Sequence, residues 1–153
     1  GPRRPGRHPA HGQERRAAVA FWAATASENE AKREGEQWVF TGDAVDVACW
    51  ELAREAGLDL AALRGLRRLE VIPYESERAY AVTFFEEHGE RRAALKGAPE
   101  VVLAMCRGQR GRDGVEPLDR AVAEAAMNRL SGAGQRVLAV ASASDLSDET
   151  GAR

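Results

Sequence analysis

Apolar residues in this chain come in short bursts separated by glycine, proline and charged turns, and the spacing within each burst predicts its element. From Glu14 to about Lys32, alanines surround Val19, Phe21, Trp22 and Thr25, which predicts a helix. A loop through Gly35 follows, then a short strand over Gln37 to Phe40. Thr41-Gly42-Asp43 opens a second helix from Ala44 to Ala56, with Asp43 as its cap and Gly57 as its stop. Asp59 to Arg64 reads as one more helical turn, and Leu66 to Ile72 as a strand halted by Pro73.

Between Arg78 and Glu86, Tyr80, Val82 and Phe84 alternate with Ala81, Thr83 and Phe85, the pattern of a strand covered on both faces. The His88-Gly89 turn returns it as Arg91 to Lys96, an antiparallel hairpin. Pro99 to Cys106 is predicted helical, and Arg107 to Glu116 is a glycine- and charge-rich loop without periodicity. Leu118 to Leu130 carries Leu118, Val122, Ala125, Met127 and Leu130 on roughly one side, an amphipathic helix ending at Gly132. Gln135 to Ala141 supplies a last strand. Strands broken by helices without regular alternation, with one evident hairpin, predict an α+β fold: an antiparallel twisted β-sheet flanked by helices.

At 153 residues the chain fits one domain with a substantial core. The expected division is a linker or tail over residues 1–13, rich in Pro and Gly, a globular domain over 14–143, and a polar tail over 144–153. Gly1-Pro2 has the form of a protease scar, as an excised piece of a larger protein would carry. A net charge of −2 gives no general attraction to nucleic acid or anionic lipid, and no apolar run approaches the length of a membrane span. Cys49 and Cys106 lack metal-ligand spacing and read as free thiols; His8, His11 and His88 form no ligand cluster.

Candidate chemistry concentrates at Lys96-Gly97-Ala98-Pro99-Glu100, where a strand gives way to a helix. Gly97 permits a close backbone approach, Pro99 and Glu100 suit a first helical turn, and Lys96 is left at the sheet edge as a flexible cation for an anionic ligand. An ordinary strand-to-helix turn with a solvated lysine is the plain alternative. Three further positions fit a nucleotide. Tyr74 could stack on a purine or fill a core, Asp46 carries an acceptor that could also simply favour a helix N-terminus, and Arg136 supplies a second cation that by itself would lie on the surface.

These motifs, in this order, resemble those of the P-type ATPases. The pentapeptide is similar to the family's Lys-Gly-Ala-Pro-Glu signature, whose lysine lies in the ATP pocket of the nucleotide-binding domain. Pro73-Tyr74-Glu75-Ser76-Glu77-Arg78 resembles its Pro-Phe-x-Ser-x-Arg stretch, whose aromatic stacks on adenine. Gly42 to Ala48 resembles Gly-Asp-Pro-Thr-Glu-Gly-Ala, with Asp46 at the acidic position near the adenine amino group, and Gly134 to Ala139 resembles Gly-x-Arg-x-Leu-Ala, with Arg136 on the phosphate or sugar side. The likeness runs from about Arg15 to Ala143. Ala79 stands where many members carry a lysine, Tyr74 replaces the commoner phenylalanine, and Asp46 is one methylene shorter than glutamate. Thr41 to Val47 also echoes the family's Thr-Gly-Asp-Gly-x-Asn-Asp motif, but it lacks the asparagine and the second glycine and precedes the lysine motif.

The resemblance implies a nucleotide-binding domain of a cation-transporting ATPase, cytoplasmic within a multi-pass membrane parent. ATP would be held by Asp46, Tyr74, Lys96, Gly97 and Arg136, with no catalytic residue and no metal ligand of the domain's own. Mg²⁺ would be held mainly by a separate phosphorylation domain, whose aspartate accepts the γ-phosphate; that domain and an actuator domain of the same parent are the implied partners, with no nucleic acid and no direct membrane contact. Two rivals remain: a protein-interaction module whose lysine motif is incidental, and a small hydrolase, for which no Gly-x-Ser-x-Gly or Cys/His pairing is present.

Overall fold

The computed structural model describes residues 9–28, 30–111 and 113–144, with side chains from Gly12 onward. Helix α1 (Pro9–Thr25) begins inside the segment expected to be linker and stops well short of Lys32. Its end is closed by hydroxyls bonding back one turn: Thr25 Oγ1 donates to the Phe21 carbonyl at 2.7 Å and Ser27 Oγ to that of Ala23 at 2.6 Å. The last turn of the expected helix is instead strand β1 (Glu30–Glu34), which pairs antiparallel with β2 (Gln37–Thr41) around Gly35. Tertiary burial overrides helix propensity here, because Ala31 and Phe40, directly opposite in the ladder, both enter a core cluster.

Helix α2 (Ala44–Glu55) is capped as expected, with Asp43 accepting from the backbone N–H groups of Val45 and Asp46. Short α3 (Leu60–Arg64) is capped by Asp59. These two helices and the β1–β2 hairpin share a core with α1: Ala24, Phe40, Trp50, Ala53, Leu60 and Leu63, with the Phe40 and Trp50 rings 5.7 Å apart.

The main sheet is antiparallel throughout, in the order β3 (Arg67–Ile72), β4 (Tyr80–Glu87), β5 (Glu90–Gly97), β8 (Ala139–Ala143). On one face, Phe85 and Ala94 meet Trp22 and Ala26 of α1, and the Trp22 and Phe85 rings lie 5.9 Å apart. On the other, Val82, Phe84 and Ala93 gather Ile72, Tyr80 and Leu95 around them. The pleat sends alternate β4 residues to opposite faces, and both faces are covered, so Ala81 to Phe85 are buried in succession.

Helix α4 (Pro99–Met105) follows β5 directly. The segment expected to be an irregular loop forms a second hairpin, β6 (Gly108–Gly111) with β7 (Gly114–Pro117), made of glycines and charges that carry no alternation to read. Helix α5 (Arg120–Gly132) forms under an Asp119 cap, but it buries no residue, and Val122 is 63% exposed. Its apolar side therefore does not serve the core as the pattern suggested. The last strand starts later than expected, so residues 135–138 precede it as extended chain. Residues 1–8 and 145–153, where parts of both predicted tails fall, lie outside the described residues.

Candidate functional site

Six stretches of chain converge on a cavity of about 530 Å³, two of them the chain leaving α1 (Ala26, Glu28) and the start of β4 (Ala81). The N-terminus of α2 contributes Asp43, Val45 and Asp46; the β3–β4 connection contributes Pro73 and Tyr74; the β5–α4 junction contributes Lys96 to Glu100; and the segment before β8 contributes Arg136 to Leu138. All five residues singled out from the sequence border this one space. Their local geometries differ from expectation at four of the five.

Lys96 is not a free cation at a sheet edge. It sits on β5, an inner strand flanked by β4 and β8, and is only 4% exposed. A buried ammonium is stable only if paired and hydrogen-bonded. Its Nζ donates to Ser27 Oγ at 2.6 Å and forms an ion pair with Asp46 Oδ1. An ammonium has three donors, so one N–H is left without a partner among the described residues. Asp46, expected as a solitary acceptor, is thus half engaged by Lys96, while its Oδ2 has no partner among the described residues.

The fold itself requires Gly97. A Cβ there would lie 2.7 Å from both Cα and Cβ of Tyr80 on β4, closer than real Cβ contacts come. The same crossing is tied by Ala98 N–H donating to the Ala79 carbonyl at 2.9 Å. Ala79 itself adopts φ 63, a left-handed conformation uncommon for alanine. Arg136 is exposed, lies on the extended segment rather than on the strand, and has no ion pair among the described residues.

Tyr74 is 54% exposed and takes no part in any of the core clusters, which removes the core-aromatic alternative. Its loop is held from behind by Arg78, whose guanidinium donates to the Pro73 carbonyl at 3.1 Å, pairs with Glu75 at 3.3 Å and lies 5.7 Å from the Tyr80 ring centre. Arg78 and Ser27 are the contributors that sequence reasoning missed. Arg78 had a signal, its place four residues beyond Tyr74; Ser27, 69 positions from Lys96, had none.

Electrostatically the cavity is mixed. Its lining carries the carboxylates of Glu28, Asp43, Asp46 and Glu100 against the cations of Lys96 and Arg136. With Asp46 and Lys96 paired and Asp43 committed to its helix cap, Arg136 is the cation left to meet an anion. Among the described residues, the two groups with displaced pKa values, Arg68 and Cys106, do not border this cavity.

Residues 16–152 match the family model described as P-type ATPase, cytoplasmic domain N. Among curated proteins the chain is similar to the probable cation-transporting ATPase F of Mycobacterium bovis and to that of Mycobacterium tuberculosis. It is 36% identical to each over 109 residues, which is 70% of this chain and 12% of the relative. The chain thus spans about one eighth of the length of the relatives it matches.

Proposed function

The chain belongs to the family of P-type ATPase cytoplasmic N domains, and from that premise we propose that the cavity between α2, the β3–β4 connection and the β5–α4 junction binds ATP. The observation that carries this reading is the convergence of Asp46, Tyr74, Lys96 and Arg136, distant in sequence, on one space sized for a small ligand.

The burial of Lys96 supports one orientation of the ligand. A lysine at 4% exposure, held by Ser27 and Asp46, cannot follow a phosphate chain into solvent, whereas a donor beside a carboxylate suits the edge of a base. Adenine offers an amino group to the free Asp46 oxygen and a ring nitrogen to the third Lys96 N–H. The exposed Tyr74 ring stacks on the purine, and Arg136 meets the phosphates. Lys96 therefore moves from the phosphate role given to it by its charge to a base-reading role given by its position.

The domain holds adenosine and presents the γ-phosphate to an aspartate on a separate phosphorylation domain of the parent, a cation transporter, where Mg²⁺ is chiefly held. Phosphoryl transfer depends on positioning and charge stabilisation, so a binding domain contributes by orientation alone. One stacked ring and one free cation imply weak binding, on the order of 0.1–1 mM. Titrating ATP into the ¹⁵N-labelled chain should shift the amide signals of Asp46, Tyr74, Lys96 and Arg136 together with a dissociation constant in that range. Signals that stay still at 10 mM, about ten times the weakest constant expected, would refute ATP binding.

A further inference from the structure

We propose that Ser27 sets the base selectivity of this site, a step that rests on the adenine reading of the cavity given above. Lys96 and Asp46 form a donor–acceptor pair whose order along the base edge matters. Adenine presents an amino donor next to a ring-nitrogen acceptor; guanine presents a carbonyl acceptor next to a ring N–H donor. A lysine and an aspartate fixed in one order match only one of these bases, and a pair free to exchange places would accept both.

What fixes the order is the Ser27 hydroxyl. It has a single proton, and that proton is committed to the Ala23 carbonyl at 2.6 Å, so towards Lys96 it can act only as an acceptor, at 2.6 Å. The serine is itself anchored, since its carbonyl accepts from Trp50 Nε1 at 3.2 Å and the residue is 3% exposed. Ser27 does not border the cavity, although its neighbours Ala26 and Glu28 do. It therefore acts through Lys96, as a positioning residue. The end of α1, the first turn of α2 and strand β5 meet at the Lys96 ammonium, which this hydroxyl ties to α1.

The test compares ATP and GTP binding to the 153-residue chain, wild type and variants, by isothermal titration, with a thermal melt of each variant alongside. Wild type should favour ATP. Ser27→Ala, which removes the acceptor for a charged donor, should cut the ATP-to-GTP preference by roughly 10-fold. Ser27→Thr keeps the oxygen and should keep the preference. Ser27→Cys keeps approximate volume with a poor acceptor and should lose part of it, so it decides the matter if the alanine variant does not fold. An unchanged ratio in the Ala and Cys variants, or a weakening of both nucleotides by the same factor, would overturn the role of Ser27 and leave ATP binding standing. A wild type that takes neither nucleotide, or does not distinguish them, would instead remove the adenine reading and this inference with it.

Discussion

Lys96 shows how far one side chain's role depends on its surroundings. A lysine loses several kcal/mol of hydration on burial unless a counter-charge and hydrogen bonds replace it, and here Asp46 and Ser27 do so. Removing the counter-charge alone should be costly. Asp46→Ala is expected to lower stability by about 3 kcal/mol in urea denaturation, because it strands the ammonium on an inner strand. A loss under about 0.5 kcal/mol, ordinary for a surface change, would mean that the ion pair does not form. Tyr74 is the opposite case. Its ring is half exposed and outside the core, so Tyr74→Ala should leave the urea midpoint nearly unchanged yet weaken ATP binding by roughly 10-fold or more, while Tyr74→Phe retains it. Equal ATP affinity in the alanine variant would rule out stacking.

At the level of elements, the boundaries written in local chemistry were legible. Asp43 before α2, Asp59 before α3, Pro99 at the start of α4 and the His88-Gly89 turn each act on backbone groups a few residues away, so their effects can be read from neighbours alone. Strand β2 was legible as well, but its partner β1 and the β6–β7 hairpin were not. Only Ala31 is buried in β1, against a Phe40 that becomes its neighbour only once the chain turns, and β7 is exposed along its length. Contacts between elements also tune a titrating group at the α4–α5 junction. There Arg120, the first residue of α5, donates to the carbonyls of Leu103 at 3.0 Å and Cys106 at 3.3 Å. Burial pushes the Cys106 thiol above its ordinary value, and Arg120 opposes that only in part. A raised thiol pKa in the fold means that the unfolded chain ionises first, so the thiol's stabilising contribution is intact below the ordinary thiol range and fades as pH rises through the folded value. Wild type should therefore lose more stability than Cys106→Ser between pH 8 and about pH 10 in urea melts. Parallel profiles would show that this thiol does not differ between the two states.

Across the whole molecule, binding and folding are linked because the cavity exists only when six stretches of chain are assembled. A ligand bound only to the folded state stabilises by RT ln(1 + [L]/Kd). For 10 mM ATP against a constant of about 0.5 mM that is about 1.8 kcal/mol, or about 4 °C in melting temperature for a chain this long. A melting curve unmoved by 10 mM ATP would contradict a site of that affinity.

The α+β class, the central hairpin and the capped helices were determined by the sequence, because periodicity and capping are local signals that survive without coordinates; the five residues around the cavity were picked out by the order of motifs that resemble those of the P-type ATPases. The tertiary structure alone decided that Lys96 is buried and paired, that Gly97 makes room for β4, and that Ser27 holds the Lys96 ammonium. The reason is physical: charge, solvation and steric room are set by atoms that are neighbours in space, and for Lys96 those neighbours come from positions 50 and 69 residues away.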